Sequence, residues 1–217
     1  MTEKLTEVEA RVVGALIEKQ LTTPEYYPLT MNALVAACNQ KTNREPVVSY
    51  SEEIVQNALD VLREEKNLVY VFYGSTSRVP KYKHILPQRF ELDERETAIM
   101  CVLMLRGAQT LGELRERTGR LYEFSDLDEA QETLDGLMKK DEPLIVRLER
   151  QAGQKEARFA HLLSGEASAV NFASKTTSAN ATAENERVEK LEHELENLRG
   201  ELNLFRQSFE EFKKQFE

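Results

Sequence analysis

The chain has 217 residues, of which 29 are Lys or Arg and 38 are Asp or Glu, so its formal net charge at pH 7 is −9. A chain of this length is too short for a large multidomain assembly. Its negative net charge repels phosphate, so any binding of nucleic acid must depend on local basic patches. No stretch approaches the ~18 apolar residues of a membrane span, and the acidic start MTEKLTEVEAR does not resemble a secretory signal. We therefore expect a cytoplasmic protein that does not associate with membranes, in which Cys38 and Cys101, which have no CxxC partners, are buried thiols.

The first element of the chain occurs twice. LTEVE at 5–9 matches LDERE at 92–96, and the apolar positions that follow stay in step. Each copy has the spacing of a capping box, in which Thr6 with Glu9, and Asp93 with Glu96, satisfy the free backbone donors at the start of a helix. Both copies are therefore predicted to open with a helix.

A second, short helix, a third helix and a hairpin follow in each copy. The second helices are predicted to begin after Thr30 and Thr110, and the third at Ser51 and Ser125. Two β-rich segments separated by a Gly-containing turn come next, and His84 in the first copy aligns with His161 in the second. Three helices followed by a hairpin form the pattern of a winged helix.

The sequence thus predicts an α+β, mainly helical fold with two tandem winged-helix domains. The first is expected over 1–88 and the second over 89–165, joined by a short junction at residues 87–89 and packed against each other. Residues 166–183 are rich in Ser, Ala, Thr and Asn, which favours a flexible linker, and residues 184–217 are predicted to form a coiled coil.

The coiled-coil prediction depends on apolar residues spaced alternately by three and four. They are Val188, Leu191, Leu195, Leu198, Leu202, Phe205, Phe209, Phe212 and Phe216. The flanking charges are opposite in sign where a parallel, in-register dimer would bring them together, so we expect self-association through this seam. The four phenylalanines leave the oligomer number open, and a single amphipathic helix folded back on the globular part is the alternative.

No pattern in the sequence points to an enzyme. There is no G-x-S-x-G, Gly-rich phosphate loop, HExxH or supported Cys–His pairing. Because His84 and His161 occupy equivalent places in two repeats, we interpret them as hairpin packing residues rather than ligands of one metal ion. We therefore expect no catalytic residue, metal or cofactor.

Nucleic-acid binding is the positive candidate, because a winged helix offers its third helix to the major groove and its hairpin to the flanking backbone. Basic residues gather in the turns before the third helices and on the hairpins, whereas the third helices themselves are acidic. Gln56 and Asn57 of the first copy could read adenine edges. The full set of candidates is Lys41, Arg44, Gln56, Asn57, Arg78, Lys81, Lys83, Arg117, Arg120 and Arg158.

Three strings resemble the YceH-like family of bacterial proteins: NQKTNREPV at 39–47, KYKH at 81–84 and RGAQTLGELRER at 106–117. The resemblance spans roughly residues 1 to 165. It implies two winged-helix domains and a cytoplasmic protein, but this family is largely uncharacterised and supplies no activity, substrate or role for any of these residues.

Two hypotheses follow. One is a non-enzymatic DNA-binding regulator that dimerises through its coiled coil and contacts phosphates through helix-preceding turns and hairpins. The other is an acidic protein-interaction module or scaffold, since carboxylate-covered third helices resemble those of tandem winged-helix proteins that bind partner chains in chromosome-maintenance complexes. Salt dependence discriminates between them, because only phosphate binding weakens steeply as salt rises.

Overall fold

The structure is a computed structural model that describes residues 4–73, 79–150 and 156–165. These residues belong to one compact α+β unit, Met1–Ser174. The predicted linker at 166–183 and the predicted coiled coil at 184–217, with its apolar seam, lie outside the described residues.

The described chain has the same order of α-helices and strands in its two halves, and the first half has in addition a short 3₁₀ helix, Pro24–Tyr26, after its first helix. The first half comprises α1 (Glu7–Thr22), β1 (Leu29–Thr30), α2 (Met31–Cys38), α3 (Glu52–Glu64), β2 (Val69–Phe72) and β3 (Lys81–His84). After a one-turn helix, α4 (Leu86–Phe90), the second half comprises α5 (Glu94–Arg106), β4 (Gln109–Thr110), α6 (Leu111–Thr118), α7 (Leu127–Lys139), β5 (Ile145–Arg147) and β6 (Arg158–His161). The strands form two antiparallel sheets of three, ordered β1-β3-β2 and β4-β6-β5.

The predicted helix starts are confirmed at five of six positions. Both first helices have complete capping boxes, and Thr30, Thr110 and Ser51 cap the helices predicted to follow them. The sixth prediction is wrong by one residue: Asp126 caps α7, and its carboxylate accepts from the Glu129 amide at 2.8 Å. Ser125 instead donates its amide and hydroxyl to the Glu129 carboxylate.

The two halves pack together, as the sequence predicts, and the contact is made by α1 and α5. These helices come so close that a Cβ added to Gly14 of α1 would lie 3.0 Å from Leu105 and 3.2 Å from Met104 of α5. Consequently the hydrophobic core of the first half includes Cys101, Met104 and Leu105 of the second. Residues 87–89, the predicted short junction, lie within the one-turn helix α4.

The two hairpins bury equivalent side chains. His84 pairs with Val69, and His161 pairs with Ile145, in the same register of their sheets. Both imidazoles are buried, as are the free thiols predicted at Cys38 and Cys101. Within the described residues, no helix is long and apolar enough to cross a membrane, and no cluster of His, Cys, Asp and Glu is arranged to hold a metal ion.

Candidate nucleic-acid interface

The turn before α3 is a rigid loop between residues 39 and 50. Asn39 closes it by donating its amide to the Tyr50 carbonyl and accepting from the Tyr50 amide, both at 2.8 Å. Arg11 of α1 donates to the Cys38 carbonyl at 3.1 Å and to the Pro46 carbonyl at 2.7 Å. Because both ends of the loop are fixed, Lys41 is held at an exposed position between them.

Arg44 lies in the same loop but points inward. Its side chain is fully buried, and its guanidinium donates to both carboxylate oxygens of Glu18 in α1, as well as to the carbonyls of Ala37 and Asn43. The prediction that Arg44 contacts a phosphate therefore does not fit the structure, since its donors and its charge are used within the fold.

Glu18 also binds Arg120 of the second half, which donates to the same carboxylate. Burial raises the pKa of Glu18, but the hydrogen bonds and charges of Arg44 and Arg120 outweigh burial and lower the pKa overall. One buried carboxylate thus joins the loop of the first half to the turn after α6, and Arg120 is less suited to phosphate contact than its position in the sequence implies.

The other two candidates of the second half share a different carboxylate. Arg117 lies 3.5 Å and Arg158 lies 3.0 Å from the oxygens of Glu113, and Arg158 also donates to the Ala108 carbonyl. Glu113 further accepts from the Thr110 amide in the capping box of α6. Arg158 therefore fastens the second hairpin to the start of α6, and much of its positive charge is compensated there.

The outward face of α3 is polar and acidic. Gln56 donates to Asp60 at 3.0 Å and accepts from the Tyr82 hydroxyl at 3.4 Å, whereas Asn57 is exposed. In α7, Gln131 donates to Asp135 at 2.7 Å in the same arrangement. Because this pair of glutamine and aspartate recurs in both halves, we interpret it as part of the fold. Of the two candidates in α3, Asn57 is the one whose amide has no partner among the described residues.

The first hairpin carries a face that the sequence analysis did not single out. In its register Tyr70 lies opposite Lys83, and Phe72 lies opposite Lys81, so all four side chains project from one side of the sheet. Tyr70 is 39% and Phe72 is 45% exposed, and the Lys83 ammonium lies 5.9 Å from the centre of the Tyr70 ring. The alternation of aromatic residues along β2 was the signal available in the sequence.

Three candidate lysines of the first half have no carboxylate partner in the described part of the chain: Lys41, Lys81 and Lys83. Arg78 lies outside the described residues. In the second half, Arg147 and Arg150 are exposed beside an open cleft of about 480 Å³, which Glu156 also lines. Among the candidates named from the sequence, the lysines of the first half thus keep the unpaired charge, whereas Arg117, Arg120 and Arg158 of the second half are paired with carboxylates.

The histidines do not form a site with any ligand set among the described residues. The ring nitrogens of His84 have no hydrogen-bond partner there, and its ring packs edge-on against Tyr27 with 6.0 Å between centroids. His161 is buried in the equivalent place, and its Nδ1 also lacks a partner. This arrangement fits the prediction that both are packing residues of the hairpins.

Comparison with known proteins identifies the family. Residues 5–154 match the family described as "Protein of unknown function, DUF480". The chain belongs to this family. A UPF0502 protein of Opitutus terrae is 57% identical over 76% of this chain and 71% of its own length, and one of Pelobacter propionicus is 46% identical over 98% of both chains. A third, of Geotalea uraniireducens, is 48% identical over the whole of both chains. The predicted membership of a largely uncharacterised bacterial family is confirmed, under the names DUF480 and UPF0502.

The structure gives a physical role to the string NQKTNREPV that suggested this membership. Asn39 closes the loop, Arg44 enters the core, and Asn43 accepts from Arg106 of α5 at 3.3 Å. The Glu45 amide donates to the Leu105 carbonyl at 2.9 Å. In this DUF480 chain most of the string thus attaches the loop to both halves, while Lys41 remains exposed.

Proposed function

We propose that this protein is a non-enzymatic DNA-binding regulator built from two tandem winged-helix domains, which contacts DNA phosphates through the loop before α3 and the first hairpin. The order helix, strand, helix, helix, strand, strand in each half supports the winged-helix interpretation, because the third helix and the hairpin are then adjacent to a bound duplex. The C-terminal seam is proposed to join two chains in parallel.

One observation carries the proposal: Lys41, Lys81 and Lys83 stay without a carboxylate partner among the described residues, although Asp and Glu outnumber Lys and Arg. Ammonium groups on the loop and the hairpin suit phosphate contacts, which fix the register of a protein on DNA without reading its sequence. The acidic face of α3 makes extensive base reading unfavourable. We therefore expect weak, largely sequence-independent binding, to which Asn57 adds a modest preference.

The test is binding of the full chain to a random-sequence duplex, measured by fluorescence anisotropy at several salt concentrations. For each protomer that contacts the duplex, three phosphate contacts predict a contribution of about −2.7 to the slope of log K against log salt, or roughly a 40-fold loss of affinity between 50 and 200 mM. Substituting Lys41, Lys81 or Lys83 singly by Gln should each reduce that contribution by about 1.

Lys139→Gln is the matched control, because Lys139 is an exposed lysine of α7 in the second half. It should leave both affinity and slope unchanged. If all four variants behave alike, the contact is non-specific attraction to the whole surface and this proposal fails.

Acidic protein interaction is the second candidate function. Its support is that Ile54 of α3 is 42% exposed and Leu127 of α7 is 46% exposed, each beside carboxylates such as Glu53 and Asp128. An apolar residue within an acidic face suits a basic protein partner. Absence of duplex binding even at low salt would move this candidate to first place.

Self-association is tested separately by light scattering on the full chain and on a chain that ends at Gly165. Removal of the seam should leave a monomer if the proposed coiled coil joins the chains. An unchanged mass would refute the proposed coiled-coil dimer, and would leave the DNA contacts of the first half to be judged by their own experiment.

A further inference from the structure

The outer face of the first hairpin combines aromatic rings with ammonium groups that have no carboxylate partner among the described residues. Tyr70 and Phe72 alternate along β2, and Lys83 and Lys81 lie directly opposite them on β3. In the described sheet β2 is an edge strand and β3 is the central strand, so this face spans one edge strand and its neighbour. Tyr73, which directly follows β2, is 66% exposed. Isolated exposed apolar residues are common, but two rings in cross-strand register with two lysines form a defined surface.

We propose that this face, the stacking face, binds single-stranded nucleic acid, with one base on each of Tyr70 and Phe72 and the adjoining phosphates at Lys83 and Lys81. The proposal rests on the proposed DNA-binding function and extends it from duplex phosphates to unpaired bases. Proteins that bind single strands without sequence preference combine these same elements, aromatic platforms and a positively charged track.

Spacing and charge both suit this ligand. Tyr70 and Phe72 are two residues apart on one strand, which separates them by ~6.6 Å and gives each ring room for its own base. The Lys83 ammonium lies 5.9 Å from the Tyr70 ring centre, so a base on this ring and its phosphate can be bound together. A purely apolar partner would leave both ammonium groups uncompensated, which favours an anionic ligand with flat apolar parts.

The second hairpin provides an internal comparison. At the four positions equivalent to Tyr70, Phe72, Lys81 and Lys83 it has Val146, Leu148, Arg158 and Ala160. None is aromatic, the arginine is bound to Glu113, and Ala160 is buried. A hairpin of this fold therefore does not need aromatic rings or free cations at these positions, so their presence on the first hairpin is not explained by folding.

The experiment measures anisotropy of the full chain with three probes: a 15-nucleotide oligo-dT, an abasic strand of equal length, and a 15-base-pair duplex. The abasic strand keeps the phosphates and lacks the bases. We expect oligo-dT to bind at least tenfold more tightly than the abasic strand, because each stacked base contributes about tenfold. Tyr70→Thr and Phe72→Thr should each remove about tenfold of the oligo-dT affinity and leave duplex affinity within twofold.

Threonine is chosen because its β-branched side chain favours a strand, so the hairpin is expected to keep its fold. Tyr26→Thr is the matched control, since Tyr26 is 71% exposed and lies outside the hairpins. As a measurement independent of folding defects in the variants, crosslinking of a 5-bromouracil strand to the unaltered chain should map to Tyr70 or Phe72.

Equal affinity for oligo-dT and the abasic strand, or crosslinks only elsewhere, would overturn the stacking proposal. If the duplex still binds in a salt-dependent manner in that case, the proposed phosphate-binding function stands without the stacking face. If the duplex does not bind but oligo-dT binds in a base-dependent manner, the stacking proposal stands and the proposed binding of duplex phosphates is refuted. No binding of any probe would refute both proposals.

Discussion

Mild acid should destabilise this protein through two buried imidazoles. His84 and His161 lie inside their respective hairpins, and the described residues offer no hydrogen-bond partner to the His84 ring nitrogens or to Nδ1 of His161. Burial lowers the pKa of both rings to about 4 from 6.5, and the nearby Lys83 ammonium adds to the effect at His84. Both side chains are therefore neutral in the folded protein at pH 5, whereas they are protonated in the unfolded chain.

The sign and size of the effect follow from this difference. A histidine whose folded pKa is depressed contributes its full stability above the unfolded value of 6.5 and loses it as pH falls toward 4. Between pH 7.5 and pH 5 the loss is about 2 kcal/mol for each ring, or about 4 kcal/mol for both. Carboxylates whose pKa is lowered in the folded protein, such as Glu18 and Asp93, lose their contribution to stability only as pH falls below the usual carboxyl pKa near 4. The change in stability between pH 7.5 and pH 5 is therefore assigned to the histidines.

Urea unfolding of the full chain at pH 7.5 and pH 5 measures the loss. His84→Leu and His161→Leu should each reduce the difference between the two pH values by about 2 kcal/mol, whatever they do to stability at pH 7.5. His193→Leu, which changes the remaining histidine, is the control. A difference that stays at its original size in both hairpin variants would refute the assignment of acid sensitivity to buried imidazoles.

Two further predictions concern the junction between the halves. Glu18→Gln should lower the free energy of unfolding by about 3–5 kcal/mol, because it leaves the buried Arg44 without its carboxylate. The control Glu116→Gln, at an exposed position, should change the free energy of unfolding by no more than about 0.5 kcal/mol. Equal effects of the two substitutions would contradict this role for Glu18. Gly14→Ala should lower the free energy of unfolding by about 1–2 kcal/mol, because the added methyl group forces α1 away from α5. Gly136→Ala should raise it by up to about 1 kcal/mol, because the added Cβ would meet its nearest atom only at 3.9 Å. If calorimetry gives both substitutions the same sign, the close packing of α1 and α5 is refuted.

The order of the elements could be predicted because it depends on local chemistry. A capping box such as Thr6 with Glu9 is complete within four residues, and the alternation of apolar side chains locates each strand without knowledge of its partners. The repeat made these signals stronger, because each was found twice. The error at Ser125 also has a local cause: Asp126 and Ser125 are adjacent, and both have side chains that can cap a helix.

Which basic side chains are buried in ion pairs and which are exposed could not be predicted in the same way. Arg44 and Lys41 are three residues apart in one loop, yet Arg44 is buried against Glu18 while Lys41 is exposed. Nothing within the loop distinguishes them, because the carboxylate that decides the outcome lies 26 positions away in α1. Partners at long range likewise compensate Arg120 and Arg158, so a count of basic residues by segment overestimates the charge available to a ligand.

Comparison of the two halves distinguishes residues that serve the fold, which recur in both halves, from residues that occur in one half and are not needed for the fold. Buried histidines recur in both hairpins, and the bonded glutamine and aspartate recur in both third helices, so these features serve what the halves have in common, their fold. Positions that the fold leaves free can differ between the halves. Phe72 and Lys81 are such positions, because the second hairpin has Leu148 and a compensated Arg158 in their places. A ligand on the outer face of the first hairpin is the simplest physical reason for exposed rings and for lysines without carboxylate partners at positions where the second hairpin has neither.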